Sequence, residues 1–193
     1  MYTYINNMGN TVRENTRERE NTHMFSDKVK KLLNEQITKE FYSAYLYLDF
    51  VNYYEEQGLK GFANWFMVQA QEERDHALLF IKYMQNNDIK VTLEAIGKPD
   101  VVMKKHIDAL CASLTHEQFV TASIHTIYEA AYEDKDFRTM QFLDWFVKEQ
   151  AEEETNANDN IKKMELFGTD SKGLYMLDQE MGARVYTPPS LVL

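Results

Sequence analysis

The 193-residue sequence predicts an all-α protein, a four-helix bundle made of two helical hairpins joined by one long crossover, with a short fifth C-terminal helix. Three observations carry that expectation. Apolar residues recur at helical spacing over four long stretches. Helix breakers are scarce: Pro99, Pro188 and Pro189 are the only prolines and there are seven glycines, so no proline interrupts the chain before residue 99. Finally, one spacing occurs twice. Glu40 is followed 33 residues later by Glu73, and Glu117 is followed 33 residues later by Gln150. Each second member opens a one-turn step, Glu73-x-x-His76 and Gln150-x-x-Glu153.

The elements follow in order. Ser26 can cap a first helix, with Asp27 in its first turn, where negative charge suits the helix dipole. Val29, Leu33, Ile37, Ala44, Tyr47, Leu48 and Val51 continue the apolar stripe to about Glu56, and Gly58 breaks it. A second helix is expected from about Leu59 to Asn86, with Phe62, Phe66, Ala70, Ala77, Phe80 and Met84 on one face. Residues 87–103 open with Asn-Asn-Asp, carry a short extended-looking Val91-Thr92-Leu93, then Gly97 and Pro99, and read as a loop. A third helix is expected from about Lys104 to Glu133 and a fourth from about Asp136 to Leu166, ended by Gly168. A fifth, from Asp170 to Met181, precedes a Pro-Pro tail. The expected organisation is a disordered extension over 1–24, the bundle over 25–168, and the fifth helix with its tail over 169–193.

The doubled spacing then acquires geometry. Gly58 lies 18 residues after Glu40 and 15 before Glu73, and Lys135 lies 18 after Glu117 and 15 before Gln150. At a rise of about 1.5 Å per residue, each carboxylate and its partner step share one height in their hairpin. The 17-residue connection from Asn87 to Met103 spans roughly 50 Å when extended, enough to cross the bundle end to end.

Composition excludes several functions. A net charge of −10 argues against nucleic acid or an anionic membrane surface and suits attraction of cations. No apolar run approaches the roughly 20 residues of a membrane span, and the first 23 residues lack a signal peptide's apolar core. Cys111 stands alone, so no disulfide framework is possible and a reducing cytoplasm is the expected compartment.

Each polar member of the doubled spacing falls on an apolar stripe. Glu40 lies between Ile37 and Ala44, Glu73 between Ala70 and Ala77, Glu117 in the row Leu110, Leu114, Thr121, Ile124, and Gln150 and Glu153 continue Leu143 and Phe146. Burying a lone carboxylate costs several kcal/mol, so a set of them inside a bundle implies a partner. A Glu from each of two helices, with an i, i+3 ligand pair from each of the others, is how a bundle builds a dinuclear carboxylate site. Two divalent ions carry +4 against the −4 of Glu40, Glu73, Glu117 and Glu153. Oxygen ligands with one imidazole suit iron or manganese and exclude a structural zinc site. Glu73, central in the set, is the expected bridge.

On these residues the chain from about Phe25 to Met181 resembles bacterial non-haem ferritin. The stretches LNEQITKEFYS (33–43), QEERDH (71–76), THEQF (115–119), FLDWFVKEQAEEE (142–154) and GLYMLDQEM (173–181) carry the resemblance. It implies that Glu40, Glu73 and His76 hold one iron, and that Glu73, Glu117 and Glu153 hold a second, with Gln150 alongside. Glu72, Glu149 and Glu152 would form a third iron site, and Tyr47 would lie near the irons. It further implies iron storage with ferroxidase activity, Fe2+ being oxidised by O2 or H2O2, and a homo-oligomeric shell of 24 subunits enclosing a ferric mineral. Haem is not expected, because Arg74 stands where haem-binding relatives place the ligating Met, and Gln150-x-x-Glu153 replaces their second Glu-x-x-His. Two alternatives remain at this stage: a diiron oxidase or hydroxylase acting on an organic substrate, and a metal-free structural bundle. His23, His106, His116 and His125 have no partner at ligand spacing and are expected to be surface or satisfied core residues. Trp65 and Trp145 are expected in the core. The acidic run Glu129, Glu133, Asp134, Asp136 could line an ion pore or simply solvate a turn.

Overall fold

A computed structural model describes residues 25–193. The extension expected to be disordered, 1–24, and His23 lie outside the described residues. Among the described residues there are five helices: α1 Asp27–Glu56, α2 Lys60–Asn86, α3 His106–Glu133, α4 Phe137–Phe167 and α5 Ser171–Met181. No described helix is long and apolar enough to cross a membrane.

Local chemistry explains most helix starts. Ser26 Oγ accepts from Val29 N (3.1 Å), Asp136 from Thr139 N (3.0 Å) and Asp170 from Gly173 N (2.7 Å), each satisfying a first-turn amide. The third helix starts two residues later than expected, since the N–H groups of Lys104 and Lys105 both bond the Asp108 carboxylate at 2.8 Å. α2 has no cap of its own, because Leu59 precedes it. Asp178 on α5 supplies one from 117 residues away, accepting from Gly61 N (2.8 Å) and Phe62 N (3.0 Å). A Cβ at Gly61 would sit 1.6 Å from the Asp178 carbonyl oxygen, so only glycine lets α5 dock there.

The two turns matched by the spacing share a backbone device. Gly58 and Lys135 each adopt positive φ, +74° and +56°. Tyr54 against His106, Ser43 against His116 and Gln36 against Ser123 make α1 antiparallel to α3. Gln69 against Glu153 and Tyr83 against Thr139 make α2 antiparallel to α4. The crossover must therefore return along the bundle. Asn34 fixes it there, bonding Thr92 O and Thr92 N at 2.9 and 2.8 Å.

Two apolar cores result. One gathers Val29, Leu33, Ile37, Phe80, Ile124, Phe142 and Phe146 around the 58–61-distal end of the first hairpin. The other gathers Tyr47, Phe50, Tyr54, Phe62, Phe66, Leu110 and Met164 toward the Gly58 end. Leu177 and Met181 of α5 join this second core. The apolar surface α5 does expose is a different one, Tyr175 and Met176, beside Leu166 and Phe167.

Candidate metal centre

Between the two cores lies a layer of buried polar groups. Glu40, Glu73, His76, Glu117, Gln150 and Glu153 are all buried, as is Tyr47. Glu40 reaches it from α1, Glu73 and His76 from α2, Glu117 from α3, and Gln150 and Glu153 from α4. The equal offsets from each turn put them at one level, and the i, i+3 steps put both step members on the inward face.

Donor atoms of Glu40, Glu73 and His76 all lie within 4.8 Å of one another. His76 Nδ1 is 3.6 Å from Glu73. Glu40 Oε1 accepts from Gln36 Nε2 (2.8 Å), yet its Oε2 is buried without any hydrogen-bond partner. A buried carboxylate oxygen left so costs free energy unless a cation meets it. Burial pushes the Glu40 carboxyl up to about 8, reinforced by the Glu73 charge. Burial does the same to Glu73 with help from Glu153, to Glu117 with help from Glu73, and to Glu153 with help from Glu117, each to about 8. Without a cation the cluster holds protons near neutral pH; with one it can release them. All-oxygen donors plus a single imidazole fit a hard or borderline divalent ion such as Fe2+.

Glu117 accepts a short hydrogen bond from the Tyr47 hydroxyl and another from Gln150 Nε2 (3.2 Å). Gln150 Nε2 also lies 3.3 Å from the Glu117 carbonyl, so its amide donates toward Glu117. Two residues missed in the sequence order the carboxylates. Gln36 holds Glu40 and is itself bonded by Ser123 Oγ (2.6 Å), while Gln69 Nε2 donates to Glu153 (2.7 Å) and Glu73 (3.3 Å). Their signal was available: Gln36 and Gln69 stand one turn before Glu40 and Glu73 and repeat the 33-residue spacing.

Glu72, Glu149 and Glu152 line one cavity of about 360 Å³ with His76, Trp145 and Arg184. Their donor atoms are not gathered as closely as the first three, and Glu72 is bonded by Arg184 Nη2 at 2.5 Å. Trp65 and Trp145 are half-buried rather than core, because the C-terminal tail packs on them. His116 is a satisfied core residue, bonded to Ser43 Oγ (2.7 Å) and pushed by burial down to about 4. His106 Nδ1, against expectation, is buried with no partner. The acidic run divides: Asp136 is a buried cap and Glu133 pairs with Lys28 (2.9 Å), leaving Glu129 on an exposed groove.

Comparison with known proteins places the fold. The Ferritin-like domain profile matches residues 30–167. A bacterial non-heme ferritin of Campylobacter jejuni is 40% identical over 156 residues, covering 81% of this chain and 93% of that one. One from Staphylococcus aureus is 33% identical over 163 residues, covering 84% and 98%. Among solved structures, an open pore ferritin from the archaeon Archaeoglobus fulgidus superposes with a TM-score of 0.82 at 41% identity, covering 84% of this chain and 99% of that one. With a matched profile over most of the chain and relatives of 33–40% identity covering more than four-fifths of it, the chain belongs to the ferritin-like domain family.

Proposed function

We propose that the protein stores iron, oxidising Fe2+ at an intrasubunit two-iron centre and holding the ferric product inside a shell of 24 copies in the cytoplasm. The observation that carries this reading is the buried polar layer of four carboxylates and one imidazole, in which Glu40, Glu73 and His76 bring donor atoms within 4.8 Å of one another and Glu40 Oε2 has no partner. Glu40, Glu73 and His76 take one Fe2+; Glu73, Glu117 and Glu153 take the other, with Glu73 shared and Gln150 alongside. Protons held by the carboxylates leave as the ions enter, so the filled layer is near neutral. Each Fe2+ gives one electron, and the two together, with two protons, reduce O2 to H2O2. Tyr47, bonded to Glu117, fixes that carboxylate as charge builds on the irons. Glu72, Glu149 and Glu152, which line one cavity with His76, form a third iron site beside the pair. The exposed Leu166, Phe167, Tyr175 and Met176 give assembly an apolar surface to bury.

Anaerobic Fe2+ titration followed by air tests the reading. Two Fe2+ should bind tightly per subunit and oxidise rapidly, and Glu73→Ala should abolish the fast phase while far-UV circular dichroism stays helical. Wild-type initial rates in that variant would defeat the proposal, and a monomer by light scattering would defeat storage alone.

A further inference from the structure

The tail after α5 folds back along one stripe of α2, the residues Gly61, Asn64, Trp65, Gln69, Glu72 and Asp75. Asn64 Nδ2 donates to the Arg184 carbonyl at 3.0 Å. The Arg184 guanidinium lies over the Trp65 ring, 4.2 Å from its centroid. Nη1 donates to Gln69 Oε1 at 2.6 Å and Nη2 to Glu72 at 2.5 Å. Further along, Tyr186 donates to Asp75 and Trp145 Nε1 to Ser190 Oγ (3.1 Å).

An amide side chain has one accepting and one donating end, and a guanidinium can only donate. Arg184 therefore claims Oε1 of Gln69 and leaves Nε2 to face Glu153 and Glu73, both of which accept when ionised. The reverse orientation would set the NH2 against the guanidinium and Oε1 against two carboxylates. Resting on the metal-centre reading above, we propose that Arg184 is a positioning residue for that centre, fixing the Gln69 amide in the orientation that holds Glu73 and Glu153. Glu40 has its own amide, Gln36, held from α3 by Ser123. The effect of Arg184 thus falls mainly on the ion on the Glu153 side and reaches the other only through the shared Glu73. It also ties Glu72 down, so the tail couples the two-ion centre to the carboxylates beside it.

The test is an oxygen-free Co2+ titration of the full chain, followed by visible absorption. Loss of an outer-shell partner costs roughly 10- to 100-fold in metal affinity. Arg184→Met should weaken the second Co2+ by about tenfold or more and change its absorption bands, with a smaller loss at the first ion, which Gln69 touches only through Glu73. Gln69→Leu should do the same, and the double variant should be no weaker than Gln69→Leu alone, because both act through one amide. Arg184→Lys, which can reach Gln69 or Glu72 but not both, should fall between wild type and Arg184→Met. It replaces Arg184→Met as the deciding variant if the latter loses its helical circular dichroism. Wild-type binding by whichever variant decides, or additive losses in the double variant, overturns the role of Arg184. No Co2+ bound by the wild type overturns the metal-centre reading and this inference with it.

Discussion

In the first hairpin Glu40, Glu73 and His76 bring donor atoms within 4.8 Å, and each glutamate has an amide one turn before it, Gln36 and Gln69. In the second hairpin the same heights are held by Glu117, Gln150 and Glu153, with no imidazole, and Gln150 donates to Glu117. The second hairpin's carboxylates are ordered largely from the first: Tyr47 bonds Glu117 and Gln69 bonds Glu153. A repeated spacing thus gives two halves equal positions without giving them equal chemistry. Position follows from helix rise; affinity follows from which neighbours hold each ligand.

The largest test of that asymmetry removes ligands. Glu73→Ala should abolish both tight ions, whereas Glu153→Ala should leave the one held by Glu40 and His76, lowering the oxidation rate by roughly 10²-fold or more in either case. Counting bound Zn2+ by calorimetry distinguishes them, and equal losses would mean that the first hairpin has no site of its own.

Protonation comes next. The four carboxyls rise from ordinary values to about 8 in the fold, so the folded state holds more protons than the unfolded chain between those limits. Their stabilisation is fully present below about pH 4.5 and is lost as pH rises through 8. His116, lowered to about 4, works oppositely, its contribution being present above 6.5 and lost as pH falls through 4. From pH 6.5 to 8 the stabilisation from the carboxyls falls while that from His116 stays constant. Calorimetry of metal-free protein should show Tm falling by several degrees across that window, and excess Zn2+ should reverse the trend. A flat metal-free profile would contradict the buried cluster.

Smaller is the loss of one amide. Gln36→Leu should weaken the ion beside His76 by about tenfold and spare the other, because Gln36 holds only Glu40 whereas Gln69 holds both Glu153 and the shared Glu73. Competition against a chelating dye would measure it, and loss at both ions would merge the halves into one unit.

The smallest effect concerns the turns. Both adopt a left-handed residue, but only the first uses glycine. Gly58→Lys should cost about 1 kcal/mol, and Lys135→Gly should be neutral or stabilise by less than that, since glycine loses the side-chain penalty but adds unfolded-state entropy. Urea unfolding at fixed pH would show it.

The helices and the common level of the candidate centre were legible in the residues alone. Apolar periodicity, scarce proline and caps such as Ser26 are local, and two equal offsets around Gly58 and Lys135 suffice to align six side chains. What orders those side chains came from packing between distant segments. Asp178 capping α2, Tyr47 reaching Glu117 and Arg184 reaching Gln69 join residues 70 to 117 positions apart. No periodicity encodes such pairs, because they depend on how rigid helices and a returning tail happen to meet, and a hydrogen bond needs its atoms placed to within a few tenths of an ångström.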